Sequence, residues 1–198
     1  SIVRNCRINQ EQHPVIVGLL PNDDVISVMC ILHDIGHPPF GHGGEVALNY
    51  MMRNYGGFEG NGQTLRILTK VESSYGPFGL DLTRRALLGI LKYPVPRAKV
   101  VAPLQPPVHE SIHKTIKIND WLPPKAYFDC EQEEVNWLLS PFSIEDRELF
   151  QSLLVAPTDT RVGKSAFHSF DCSIMDTADD IAYGVHDLED AIHLKLLD

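Results

Sequence analysis

The sequence predicts a mostly α-helical protein, and three observations carry that expectation. Apolar residues recur at helical spacing in most segments, polar cap residues stand where those segments begin, and helical patterning resumes after one proline-rich stretch. Ser1 to Arg7 reads as the middle of a helix without a start signal, and residues 2–10 as a helix end. Pro21-Asn22-Asp23-Asp24 offers a cap and an acidic first turn, followed by Val25, Ile26, Val28, Met29, Ile31 and Leu32. Pro38 and Pro39 must end that helix, because proline lacks the N–H and clashes with the preceding turn. Gly43 to Tyr55 predicts a short helix that stops at Gly56-Gly57, and residues 61–73 and 82–91 predict two more, the latter capped by Asp81 or Thr83. Residues 93–124 hold Pro94, Pro96, Pro103, Pro106, Pro107, Pro123 and Pro124 and predict an irregular excursion, with a short hairpin of Val100-Val101 and residues 114–118. Helices are expected again at about 130–139, 144–154 and 168–197, with Ser143 and Asp146 resembling a capping box.

Composition narrows the function. A chain of 198 residues with 43% apolar residues suits one domain with a real core, or one domain and a fragment of a second. No run of about 18 apolar residues exists, so no membrane span is expected, and no signal-peptide pattern opens the chain. A net charge of −9 argues against a general nucleic-acid binder, leaves room for a locally basic phosphate pocket, and fits a protein that holds divalent cations. Cys6, Cys30, Cys130 and Cys172 are scattered without a CxxC pair, which disfavours a zinc ribbon or a disulfide scaffold. A reduced, cytoplasmic setting is the expectation.

The chemistry concentrates between His33 and Glu45, where His33, Asp34, His37, His42 and Glu45 fall within a single short stretch. An apolar helix carries His33 and Asp34 to its C-terminal end, where both can reach one ion if that end faces a cavity. Imidazole nitrogen with carboxylate oxygen suits a divalent first-row metal, and Mg²⁺ less well. His37 stands at i+4 from His33, and the prolines and glycines after it predict a tight turn that can bring backbone N–H groups near a phosphate. His42 and Glu45, three apart, share a helix face, and a carboxylate beside an imidazole is a general acid/base arrangement.

The stretch resembles the signature of HD-domain deoxynucleoside triphosphate triphosphohydrolases, the bacterial dGTPase family. Four further blocks carry the resemblance. Phe58-Glu59-Gly60-Asn61-Gly62-Gln63 is similar to the family's FEGNxQ block, though on its own it reads as a turn leading into a helix. Gly89-Ile90-Leu91-Lys92-Tyr93-Pro94 ends a helix, and Lys92 can reach a cavity as a phosphate cation. Pro124-Lys125-Ala126-Tyr127-Phe128 is a shortened form of the family's Lys-Pro-Gly-Tyr-Phe segment. Residues 174–190 form a helix with an apolar stripe of Ile174, Ala178, Ile181, Val185 and Leu188, and with Asp179, Tyr183 and Asp187 at i, i+4 and i+8 on another face.

The resemblance implies an HD-type helical bundle spanning 1–198 as one incomplete domain, with 93–124 as an irregular insertion and with segments missing upstream and downstream. It implies hydrolysis of a dNTP, dGTP above others, to a deoxynucleoside and inorganic triphosphate, with Mn²⁺, Mg²⁺, Co²⁺ or Ni²⁺ as cofactor. It places the distant metal aspartate at Asp179, which periodicity alone could not choose over Asp180, and sets Tyr183 and Asp187 beside the deoxyribose. Lys92, Tyr93 and Lys125 fall at phosphate-binding positions, with His37 near them. The family's first metal histidine precedes its His-Asp pair by some tens of residues. His13 does not match that motif and reads as a surface residue, so the fourth ligand is expected upstream of Ser1, and a molecule beginning there should bind metal weakly and be inactive. A homo-oligomer such as a hexamer and a single-stranded DNA effector also accord with the resemblance. Other readings are a different HD nucleotidase or phosphodiesterase, or a catalytically silent nucleotide-sensing or single-stranded-DNA-binding module.

Overall fold

The structure, a computed structural model, describes residues 14–102, 121–159 and 161–196. The helix end expected at 2–10, the reading of His13 and the second half of the expected hairpin lie outside the described residues. Helix α1 spans Pro14–Leu19. Helix α2, Asp23–Leu32, begins where predicted, with the Asn22 side chain accepting from the Val25 N–H at 2.8 Å. Helix α3 is Gly41–Met51, followed by a 3₁₀ turn over Arg53–Tyr55. Helix α4, Gly60–Arg66, widens into a π turn over Ile67–Val71. Helix α5, Arg84–Ile90, is capped by Thr83 rather than Asp81. A short α6, Arg97–Val100, lies inside the proline-rich excursion. Helices α7, Gln132–Leu139, and α8, Ile144–Phe150, follow, and the Ser143 hydroxyl accepts from the Asp146 N–H at 3.0 Å as the capping pattern predicts. Helix α9 runs from Phe170 to His193.

Two expectations are corrected. The helix expected over 144–154 stops at Phe150, and Leu153–Val155 forms strand β1, paired antiparallel with β2, Lys164–Ser165. Pairing supplies the reason, since Leu153 and Val155 lie opposite Ser165 and Lys164, and Pro157 bars a helix from running on through this segment. Val100 lies in α6, not in a strand.

The core is built where α2, α5 and α9 pack on one another. Met29, Leu87, Ile90, Leu91, Cys172 and Met175 meet there, joined by Leu65 and Leu68 from the α4 region and Val135, Leu138 and Leu139 from α7. Each fully buried Leu or Met contributes about 1.5–3 kcal/mol relative to exposure. The first turn of α9 is fastened to α5: Ser169 caps α9 and donates to the Leu88 carbonyl at 2.9 Å, and Arg85 pairs with Asp171. The described ends of the excursion are part of the fold. Val95 and Val100 are fully buried, the Arg97 N–H donates to the Tyr127 carbonyl at 2.9 Å, and the Tyr127 N–H donates to the Val95 carbonyl at 3.1 Å. That parallel bridge ties the Lys92-Tyr93 segment to the Lys125 segment.

Candidate metal centre

His33 caps the C-terminus of α2, its N–H bonded to the Met29 carbonyl. Its Nδ1 lies 2.9 Å from the Cys30 carbonyl oxygen. A carbonyl can only accept, so that bond places the proton on Nδ1 and leaves Nε2 with a free lone pair. Nε2 is buried and has no hydrogen-bond partner. It stands 3.5 Å from Asp34 Oδ2 and 3.5 Å from Asp179 Oδ1. These separations are too long for hydrogen bonds. Each separation by itself is within reach of two donors that share one ion at about 2.0–2.2 Å from each, although the three donors together are spread more widely than those of His37, His42 and Glu45. An orphaned imidazole nitrogen between two carboxylates, its other nitrogen anchored to backbone, is a donor set whose chemistry fits a divalent cation.

The turn after His33 is locked against α4. Thr64 Oγ1 accepts from the Gly36 N–H at 3.0 Å and lies 3.1 Å from the carbonyls of His33 and Gly60. A Cβ at Gly36 would fall 2.2 Å from the Thr64 nitrogen, so only glycine permits this approach. Further along, Phe40 takes a left-handed φ of 70° at the start of α3, a strain of about 1–3 kcal/mol in a non-glycine residue. Backbone strain and the two prolines thus fix where α3 re-enters.

That re-entry groups a second set of donors. His37, His42 and Glu45 each offer a ligand atom, all within 4.8 Å of one another. His37 Nδ1 lies 3.1 Å from Asp34 Oδ1, though without hydrogen-bond alignment, so this imidazole stands between the two groupings. The contact with Asp34 raises the His37 pKa above the ordinary histidine value and lowers that of Asp34. His42 is largely exposed, and its Nδ1 lies 3.4 Å from Glu45 Oε2, a long contact. Glu45 itself is buried. It accepts from the Gly60 N–H at 2.8 Å and from Lys125 Nζ at 3.0 Å. Burial alone would raise its pKa, but the Gly60 N–H and the Lys125 ammonium outweigh it and hold the carboxyl below its usual range. Lys125 already offsets the Glu45 charge that a cation among these three donors would use.

The sequence singled out Lys125 for phosphate but gave Glu59 no firm role. In the structure Lys125 Nζ sits between Glu45 and Glu59, 3.1 Å from the latter. Glu59 is buried and also accepts from Asn61 Nδ2 at 2.8 Å and the Gly62 N–H at 2.7 Å. It therefore caps α4 and holds Lys125 at once. Lys92 pairs with Asp176, which sequence reasoning missed. Burial would depress the Lys92 ammonium, but Asp176 more than compensates and its pKa is raised. The signal was there: Asp176 lies one turn before Asp179 on α9, on the stripe that continues to Tyr183. Tyr93 is half-buried, and burial pushes its hydroxyl pKa up. Tyr183 and Asp187 fall on an exposed part of α9, with Tyr183 58% exposed, and among the described residues no contact joins them to the metal centre. Asp180 is exposed, whereas Asp179 faces His33, so the structure separates two neighbours that periodicity could not.

The helix end that presents the adjacent His-Asp pair lies within residues 9–94, which match the family model of the HD domain. More particularly, the chain is a relative of proteins named deoxyguanosinetriphosphate triphosphohydrolase-like protein. It is 48% identical to the one from Vibrio cholerae over 198 residues, 100% of this chain and 44% of the relative. It is 48% identical to the one from Vibrio campbellii over 191 residues, 95% of this chain and 42% of the relative. With the one from Pasteurella multocida it shares 51% over 186 residues, 92% and 41% of the respective lengths. The chain thus spans less than half the length of the curated relatives it matches. Among the described residues, no helix is long and apolar enough to cross a membrane.

Proposed function

We propose that the chain carries the catalytic HD unit of a metal-dependent hydrolase that converts a dNTP, dGTP foremost, to a deoxynucleoside and inorganic triphosphate. The observation that carries this reading is His33 Nε2, buried and unpartnered between Asp34 and Asp179. His33, Asp34 and Asp179 would hold a divalent cation, which supplies Lewis-acid polarisation of the α-phosphate when bound.

The remaining steps fall to this chain's own side chains. Lys92 and Lys125 present ammonium groups for the triphosphate, each steadied by carboxylates at its flank. His37, beside Asp34, adds a third cationic group when protonated. Water adds to the α-phosphorus, the bond from that phosphorus to the 5′ oxygen breaks, and the 5′ oxygen leaves with a proton. His42, next to Glu45, is the exposed imidazole that moves a proton at the α-phosphate. Tyr183 and Asp187 meet the sugar, and a tyrosine ring against the 2′ carbon excludes a ribose hydroxyl by sterics. The names of the relatives agree with this substrate class.

The test is to incubate the full-length protein with each dNTP and Mn²⁺ or Mg²⁺ and resolve the products. Triphosphate and deoxynucleoside are expected; pyrophosphate or orthophosphate release overturns the reaction.

A further inference from the structure

Thr64 is a buried polar residue of α4, 1% exposed, that the proposed chemistry leaves unused. Thr69, in the π turn that follows, shows what a helical threonine ordinarily does. Its hydroxyl donates to the Leu65 carbonyl at 2.8 Å, one turn back in its own run. Thr64 lies at 3.1 Å from the corresponding carbonyl, Gly60, but its hydroxyl also reaches out of the helix to the end of α2. There Oγ1 accepts from the Gly36 N–H at 3.0 Å and lies 3.1 Å from the His33 carbonyl oxygen.

These two groups bracket Asp34. Within the turn, the His33 N–H donates to the Met29 carbonyl, the Ile35 N–H to the Leu32 carbonyl and the His37 N–H to the Asp34 carbonyl. The His33 carbonyl and the Gly36 N–H are left out of that ladder, as groups at a helix end are. Among the described residues, one side chain serves both. In an α-helix the N–H at i+4 serves the Gly60 carbonyl, so the Thr64 hydroxyl proton can go to His33. The His33 ring is anchored separately, through Nδ1 to the Cys30 carbonyl. Cys30 thus sets how the imidazole is turned, and Thr64 sets where the peptide between His33 and Asp34 stands. Metal sites hold ligand distances to about 0.2 Å, so the stance of that peptide governs whether the two donors reach one ion.

We propose, resting on His33, Asp34 and Asp179 as the metal site but not on the reaction assigned there, that Thr64 is a positioning residue of that centre. Its hydroxyl clamps the His33 carbonyl and the Gly36 N–H and so fixes the spacing of the His33 and Asp34 donors.

The test is Mn²⁺ titration of the full-length protein, with free Mn²⁺ read by electron paramagnetic resonance and no nucleotide present. Thr64→Val keeps the shape and removes the hydroxyl. It should weaken Mn²⁺ binding about 10–100-fold, the scale of losing a group that orients a ligand. Thr64→Ser keeps the hydroxyl and should stay within about threefold of wild type. Thr69→Val makes the same chemical change where the hydroxyl meets only its own helical run, and Leu138→Ala opens a cavity in α7. Both should also stay within about threefold, which separates positioning from loss of a hydroxyl or of stability. If Thr64→Val fails to fold by circular dichroism, Thr64→Ala decides in its place. Mn²⁺ affinity that Asp179→Ala leaves unchanged overturns the metal centre and the role of Thr64 with it. Affinity that falls in Asp179→Ala but stays within about threefold of wild type in Thr64→Val overturns the role of Thr64 alone. So does a fall in Thr64→Ser, Thr69→Val or Leu138→Ala equal to that in Thr64→Val.

Discussion

In the first half of α9, Cys172, Ile174 and Met175 are 0%, 8% and 1% exposed. In its second half Ile181, Val185, Leu188 and Ile192 are 56%, 50%, 52% and 58% exposed. The apolar period is the same in both, and the difference lies in what stands opposite. Helices α2 and α5 cover the first half, and Arg85, Leu88 and Lys92 tie it down through Asp171, Ser169 and Asp176. Among the described residues nothing buries the second half. Asp179 falls where the covered half ends, which is why it meets His33, whereas Tyr183 and Asp187 fall beyond it. An amphipathic stripe states that a face can be buried; only a partner decides whether it is.

The largest expected effect sharpens that boundary. Asp179→Ala in the full-length protein should lower triphosphate release about a hundredfold or more, the scale of losing a charge-stabilising group, and weaken Mn²⁺ binding. Asp180→Ala should leave both within about threefold, since its side chain points to solvent. Equal losses in the two variants, read by product assay and metal titration, would erase the distinction drawn between these neighbours.

Next comes stability. Met175→Ala should destabilise the 1–198 chain by about 2–5 kcal/mol in urea unfolding, because a fully buried side chain leaves a cavity. Leu188→Ala should change it by no more than about 0.5 kcal/mol. If Leu188→Ala cost as much as Met175→Ala, the second half of α9 would be packed after all. Smaller again is Asp187→Asn, for which about a tenfold fall in kcat/KM for dNTPs is expected, the worth of one charge-assisted hydrogen bond. An unchanged value would remove Asp187 from the site.

The smallest effect belongs to the floor of the site, away from α9. The folded-state pKa of Glu45 is depressed by the Gly60 N–H and Lys125. A depressed carboxyl stabilises the fold fully above its unfolded value of about 4.3 and loses that contribution as pH falls through the folded value. Glu45→Gln should therefore flatten the acid limb of the stability curve below about pH 4.5, while the curve near pH 8 keeps its shape. Urea midpoints across that range would show it, and an unaltered acid limb would mean that Glu45 carries no such linkage.

Much of the fold was legible because helices announce themselves locally. Asn22, Thr83 and Ser143 accept the amide bonds that their positions predicted, since a cap and its target lie three residues apart. The strand Leu153–Val155 was not legible, because it exists only through pairing with Lys164–Ser165. The candidate site divides in the same way. His33, Asp34, His37, His42 and Glu45 sit on one short stretch whose turn chemistry declares itself. Glu59 and Asp176 did not, since each acts through a residue distant in the chain.

The sequence by itself determined a helical protein, a His-Asp pair at the end of α2, and an imidazole and a carboxylate placed to share the next helix face. Tertiary structure alone decided that Asp179, not Asp180, faces His33, that Glu59 and Glu45 both grip Lys125, and that Lys92 pairs with Asp176. The physical reason is range. Periodicity and capping act over three or four residues, whereas burial, ion pairing and metal geometry depend on which distant surfaces the core brings into contact.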